Sequence, residues 1–382
     1  MKIFISAGDL SGELYGVEIL KGLKSLFPKS DFFSLTKGLI SEAGAIPISS
    51  VSNIGVVGAT EVFSESRKLY KLIAAIFKFF NSTPPHAVIL IDFPDVNLHI
   101  VARLAKIKGA RILYFIPPQI WAWRFSRIKL LKRLIDDMVV ILPFEETLYK
   151  SMGINKVSYF GHPLLDKIQE KPVSPKIEQT ITIGILPGSR LSELRHHIPI
   201  VNEVAKRLKL IYPRIRFLLP VAPGMEKMIS DFDIFPSIQP ISGSKFQSVT
   251  QEVLSQCHCT LVASGTATLE AALLEVPMIV FYRVSSVSAW IGKRLIKVPF
   301  VSLPNLIAGK SIIPEFIQHF DIEDLVGAMK SLIEDSYKVH NLSPTSPWNC
   351  QKQALRGIRS KLGNPPIMPR IVNHIGAFLE GN

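Results

Sequence analysis

Short, almost uninterrupted apolar runs alternate with longer stretches in which apolar residues return every three or four positions. The runs fall at Lys2–Ser6, His86–Ile91, Arg111–Phe115 and Met138–Ile141, and again at Thr180–Leu186, Ile215–Leu219, Thr260–Ala263 and Met278–Tyr282. Continuous rather than alternating hydrophobicity marks strands covered on both faces, the condition of a parallel sheet. The intervening periodicity predicts helices, among them one ending near Leu26 and one running through Leu208. Together they predict α/β architecture: two Rossmann-like, doubly wound domains facing a cleft, with ligand at the carboxyl ends of the strands. Pro163–Gln179 is polar, carries Pro163, Pro172 and Pro175, and has no sustained period, so it reads as a linker. The expected domains are therefore 1–165 and 180–345. A proline-rich polar tail, Ser343–Pro369, leads to an amphipathic helix at Arg370–Leu379. The segment 350–382 is expected to return to the first domain.

Composition supports two cores: 382 residues is long for one, and 47% hydrophobic with 20% charged residues argues against disorder. The formal charge of +13 points to an anionic partner. No zinc-finger, ribonucleoprotein or G-x-x-x-x-G-K-[ST] signature is present, which favours a phosphorylated substrate or an anionic membrane over nucleic acid. Three cysteines, Cys257, Cys259 and Cys350, provide no disulfide framework and suggest a reducing compartment. Cys257-His258-Cys259 matches no zinc spacing, so no metal is expected there. The apolar start Ile3-Phe4-Ile5 is too short for a signal peptide, and no stretch reaches the ~18 apolar residues of a membrane span. The chain is expected to be soluble or peripheral.

Two turns share one logic. At Leu261–Glu270 a strand stops at Ser264-Gly265-Thr266 and a helix begins at once, so small residues, unpaired amides and a helix dipole favour an anion. Glu270, one turn later, suits a ribose diol. At Leu186-Pro187-Gly188-Ser189-Arg190 the same turn adds a forked cation suited to a diphosphate, before a helix starting near Glu193. In Ile91-Asp92-Phe93-Pro94-Asp95-Val96-Asn97, Asp92 closes a buried strand, where it could take the proton from an attacking sugar hydroxyl. Asp95 reads as a turn residue and Asn97 as a helix cap. Gly8-Asp9-Leu10-Ser11-Gly12-Glu13 lacks dinucleotide spacing; Ser11 and Glu13 could meet a substrate or simply start a helix. Trp121, Trp123 and Arg124 follow a strand, where rings line either an acyl or sugar site or a core. Residues 67–80 interleave Arg67, Lys68, Lys71 and Lys78 with Phe77, Phe79 and Phe80. That pattern is either a packed helix or a membrane-facing one, and Arg124–Arg133 adds further cations.

Several motifs in order resemble the lipid-A-disaccharide synthase family, glycosyltransferases of the GT-B type. They are Ile91 to Asn97, Trp121-Ala122-Trp123, Leu142-Pro143-Phe144-Glu145, Gly161-His162-Pro163, Leu186 to Arg190, Ala263 to Glu270 and Ser302-Leu303-Pro304-Asn305, within roughly residues 1 to 320. The resemblance implies transfer of 2,3-diacylglucosamine from UDP-2,3-diacylglucosamine to the 6-hydroxyl of 2,3-diacylglucosamine 1-phosphate, without a cofactor. Asp92 matches the family's proposed base; Arg190, Glu270 and Asn305 match positions needed for activity or UDP-sugar binding. The implied location is the inner face of a bacterial inner membrane. Two departures lie in the first domain. Asp9 and Glu13 exchange the family's acids, and Ser34-Leu35-Thr36-Lys37-Gly38 replaces a Gly-Pro-Arg-Met type segment. Other readings are a different GT-B enzyme, such as a UDP-N-acetylglucosamine 2-epimerase, or a non-catalytic nucleotide-sugar or lipid-binding protein.

Overall fold

The computed structural model describes residues 1–51, 62–121, 125–168, 180–243, 248–285, 298–337 and 343–381. They form two compact units, residues 1–166 with 363–382 and residues 167–362. Each is a parallel sheet with helices. The first sheet has the order β3-β2-β1-β4-β5-β6-β7. Its strands are β1 (Lys2–Ser6), β2 (Asp31–Ser34), β3 (Ile46–Pro47), β4 (Ala87–Ile91), β5 (Arg111–Phe115), β6 (Asp137–Val140) and β7 (Val157–Tyr159). The second has the order β10-β9-β8-β11-β12-β13. It contains β8 (Thr182–Leu186), β9 (Arg216–Val221), β10 (Ile238–Ser242), β11 (Cys259–Ala263), β12 (Met278–Tyr282) and β13 (Glu315–Ile317).

All eight apolar runs are strands, to within two residues at their ends. The strands without such a run lie toward the sheet margins. β3 is a two-residue edge carrying Pro47, and β10 is an edge strand carrying Pro240 with mostly solvent-facing side chains. Proline is tolerated at such edges because one side of the strand lacks a ladder partner.

In both sheets the order reverses once, between β1 and β4 in the first and between β8 and β11 in the second. Chains leaving these neighbouring strands diverge to opposite sides and open a crevice at the carboxyl end. The first crevice is flanked by the segments after Ser6 and Ile91, the second by those after Leu186 and Ala263.

The tail differs from expectation. Residues 347–361 are a helix, Pro347–Lys361, with the Ser346 hydroxyl accepting from the Asn349 amide and Pro347 in the first turn. Proline there is a helix starter, not a breaker. This helix belongs to the second unit, so only residues from Gly363 onward, including the helix Met368–Glu380, join the first. The stretch expected to be irregular linker contains the short helix Leu164–Lys167. The Asp166 carboxylate at that helix accepts from the Ile367 and Met368 amides at 2.7–3.0 Å, fastening the returning tail.

Candidate functional site

In the second unit, β8 and β11 pair with Leu186 opposite Val262, so the two small-residue turns emerge side by side. Gly265 has φ 157°, and among the described residues nothing lies within 4 Å of where its Cβ would be. The helix Thr266–Leu273 that follows has no side-chain cap. A helix start without a side-chain cap is the kind of place that favours an anion. Ser264 anchors the turn from below, its hydroxyl donating to the Val301 carbonyl at 2.9 Å. Glu270 is half-buried, accepts from the Ser248 hydroxyl at 3.3 Å, and its carboxyl is pushed upward chiefly by burial.

The Gly188-Ser189-Arg190 turn is arranged differently from expectation. Its amides are not open: the Glu193 carboxylate accepts from the Ser189 and Arg190 N–H groups at 3.1 and 3.2 Å. Gly188 has φ +105°, and a Cβ there would collide with the same carboxylate. Arg190 stands 3.6 Å from Glu193, with 52% of its side chain exposed. Behind the turn lies His197, which the sequence did not single out. Its Nδ1 lies 2.6 Å from the Pro187 carbonyl, and its Nε2 lies 3.0 Å from the Arg283 carbonyl and 3.1 Å from the Arg283 amide. A carbonyl can only accept, so Nδ1 carries a proton, and burial lowers the pKa of the ring. The ring ties the end of β8 to the end of β12.

Asn305 is fully buried. Its Nδ2 donates to the Ile313 carbonyl and to Glu315, at 2.9 and 2.8 Å, and its Oδ1 accepts from the Ile312 and Ile313 amides. Glu315 also accepts from Val301 N, Ser302 N and Ser302 Oγ. Hydrogen bonds thus connect Asn305 through Glu315 and Val301 to Ser264.

In the first unit Asp92 closes β4. Asp92 and Phe93 have φ 43° and 50°, consecutive left-handed residues that cost roughly 1–2 kcal/mol each. Three buried groups hold them there. Tyr114 OH and Asn97 Nδ2 donate to the Asp92 carbonyl at 2.8 and 2.7 Å, and Ser6 Oγ donates to Asn97 Oδ1 at 2.5 Å. Asn97 is therefore a staple between β1 and β4, not the helix cap expected. Gly8 is required because a Cβ there would enter the Phe93 ring. Asp95 pairs with the buried Arg127, a structural role that also removes Arg127 from the surface cation cluster.

The other first-unit candidates separate. Asp9, not Ser11, caps the first helix, accepting from Gly12 N at 2.8 Å, while Ser11 is exposed. Glu13 is buried, with one carboxylate oxygen on Thr36 Oγ1 (2.7 Å) and the other on Ile40 N (2.8 Å). Both oxygens are engaged within the unit, so Glu13 holds the Ser34–Gly38 segment in place. Trp121 donates from its indole nitrogen to Glu145 at 3.0 Å and packs edge-on against Phe144. Burial raises the Glu145 carboxyl to about 7. Trp123, Arg124 and the side chain of Lys68 lie outside what is described. In the helix Val62–Ser82, Leu72, Ile76, Phe79 and Phe80 point into the core, the last two against Phe4. The broad apolar face is thus mostly internal. Leu69, Tyr70 and Phe77 remain exposed, among Arg67, Lys71 and Lys78. Among the described residues no helix is long and apolar enough to cross a membrane, and no cluster of three or more His, Cys, Asp or Glu could hold a metal ion.

Comparison with known proteins agrees with this frame. The family described as lipid-A-disaccharide synthetase matches residues 3–347. A lipid-A-disaccharide synthase of Geobacter metallireducens is 36% identical over 332 residues, 83% of each chain. Among solved structures, S. aureus MnaA with UDP superposes with a TM-score of 0.60 at 15% identity, covering 99% of this chain and 97% of that one. The glycosyltransferase of kitacinnamycin gives 0.62 at 12% identity over 99% of both. At such identities these two likenesses show the fold alone, GT-B. With the family match over most of its length, the chain belongs to the lipid-A-disaccharide synthetase family of glycosyltransferases.

Proposed function

We propose that the protein transfers 2,3-diacylglucosamine from UDP-2,3-diacylglucosamine to the 6-hydroxyl of 2,3-diacylglucosamine 1-phosphate. The products are a β-1,6-linked disaccharide 1-phosphate and UDP. The observation that carries the reading is Asp92, a carboxylate-bearing residue fixed at a strand crossover by Tyr114 and Asn97 despite an unfavourable backbone. Strain maintained by buried partners marks a position where geometry serves chemistry. Asp92 takes the proton from the acceptor hydroxyl as that oxygen bonds to the anomeric carbon. The bond from that carbon to the UDP oxygen breaks, and an α-linked donor becomes a β product. Negative charge growing on UDP is stabilised by Arg190 and by the uncapped amides at Gly265–Thr266. Glu270 accepts from the ribose hydroxyls. Because this stabilisation comes from fixed cations and dipoles, the mechanism does not call for a metal.

The lipid substrates stay in the bilayer, and the exposed Leu69, Tyr70 and Phe77 with Arg67, Lys71 and Lys78 make the contact with an anionic surface. This patch is narrower than the sequence suggested, and its mixed apolar and cationic character favours a peripheral mode. Asp92→Ala that folds normally should lose turnover by about 10²–10⁴-fold, the usual worth of a positioned base. Near-normal turnover would remove Asp92 from that role. Charge reversal at Arg67, Lys71 and Lys78 should abolish sedimentation with phosphatidylglycerol vesicles, and unchanged sedimentation would remove the membrane contact.

A further inference from the structure

The Glu193 carboxylate occupies groups that the donor reading assigns to phosphate. One oxygen accepts from the Ser189 and Arg190 amides, and the other accepts from Tyr282 OH at 3.2 Å and lies 3.6 Å from Arg190 Nη1. A carboxylate on paired amides beside a guanidinium is chemically a phosphate stand-in. Two anions do not share two N–H groups, so a diphosphate gains these amides only as Glu193 leaves them. The amide contacts are long for an ionised acceptor. At 3.1 and 3.2 Å they are longer than the 2.7–2.9 Å typical of charge-assisted bonds. Tyr282 offers the carboxylate a partner that does not involve the amides. Gly188, where a side chain would collide with the carboxylate, leaves room for the capped state.

We propose that Glu193 is a built-in competitor for the UDP diphosphate: it caps the Ser189–Arg190 amides, yields them to the donor, and weakens the hold on product UDP. This rests on the donor-site reading above. A plain helix-capping role would affect folding only, whereas a competitor changes affinity for phosphate and not for the nucleoside.

The test is calorimetric titration of UDP and of uridine into the wild-type protein, Glu193→Gln and Arg190→Ala, with thermal melting of each. Glu193→Gln keeps an oxygen for the amides but removes the charge. It should bind UDP roughly two- to fivefold more tightly, the scale of one partly exposed charge contact, with uridine unchanged. Glu193→Ala should shift UDP affinity in the same direction, so either variant that stays folded decides. Equal or weaker UDP binding by folded Glu193 variants, with Arg190→Ala impaired, would overturn the competitor role alone. Wild-type protein that binds UDP no better than uridine, with Arg190→Ala no worse, would overturn the donor-site reading and the competitor with it.

Discussion

Asn305 and Glu145 illustrate how far a side chain's role depends on what surrounds it. Both are polar, both fall in motifs shared with the family, and both are buried. Asn305 has every hydrogen-bonding capacity filled by Ile312, Ile313 and Glu315. Asn305→Ala should therefore cost about 1–3 kcal/mol in chemical denaturation, the penalty for stranding buried partners. It should weaken UDP binding indirectly, through Val301 and Ser264. Retained stability would show that the network is dispensable. Glu145 makes a pH prediction. Its carboxyl is raised to about 7 from an ordinary 4.5, so the folded protein binds this proton more tightly than the unfolded chain. The resulting stabilisation is complete below about pH 4.5 and is lost as pH rises through about 7. Melting temperatures measured across that window should fall less steeply for Glu145→Gln than for the wild type. Identical slopes would place the titration elsewhere.

At the level of elements, the helix Val62–Ser82 divides into two faces with opposite consequences. Phe80 is fully buried against Phe4 and Phe79, whereas Phe77 is exposed. Phe80→Ala should cost about 3–5 kcal/mol of folding stability. Phe77→Ser should leave the denaturation midpoint nearly unchanged while reducing vesicle binding; equal stability losses at both positions would contradict the division. Inner strands such as β4 and β8 were legible because doubly covered strands are continuous apolar runs. β3 and β10 were not, because an edge strand shows solvent one face and admits proline. The helix Pro347–Lys361 was hidden by the proline at its start.

Across the whole molecule the same construction recurs: two parallel sheets, each reversing strand order once, with the candidate residues just beyond the reversal. The turns at Gly188 and Gly265 and the strand end at Asp92 were visible in the sequence because strand, turn and helix start are local features. Long-range side-chain partners were not: His197 between Pro187 and Arg283, Asn97 between β1 and β4, and Glu13 under Thr36. A charge of +13 spread over such a frame predicts vesicle binding that weakens as salt rises toward 0.5 M, since exposed charges are screened. Salt-insensitive binding would favour insertion of Tyr70 and Phe77 as the dominant contact. The central claim is tested most directly by incubating the protein with UDP-2,3-diacylglucosamine and 2,3-diacylglucosamine 1-phosphate and weighing the lipid product by mass spectrometry. The account predicts a tetra-acylated disaccharide 1-phosphate formed one-for-one with UDP and lost in folded Asp92→Ala. No disaccharide from the wild-type protein, or undiminished product from the variant, would contradict it.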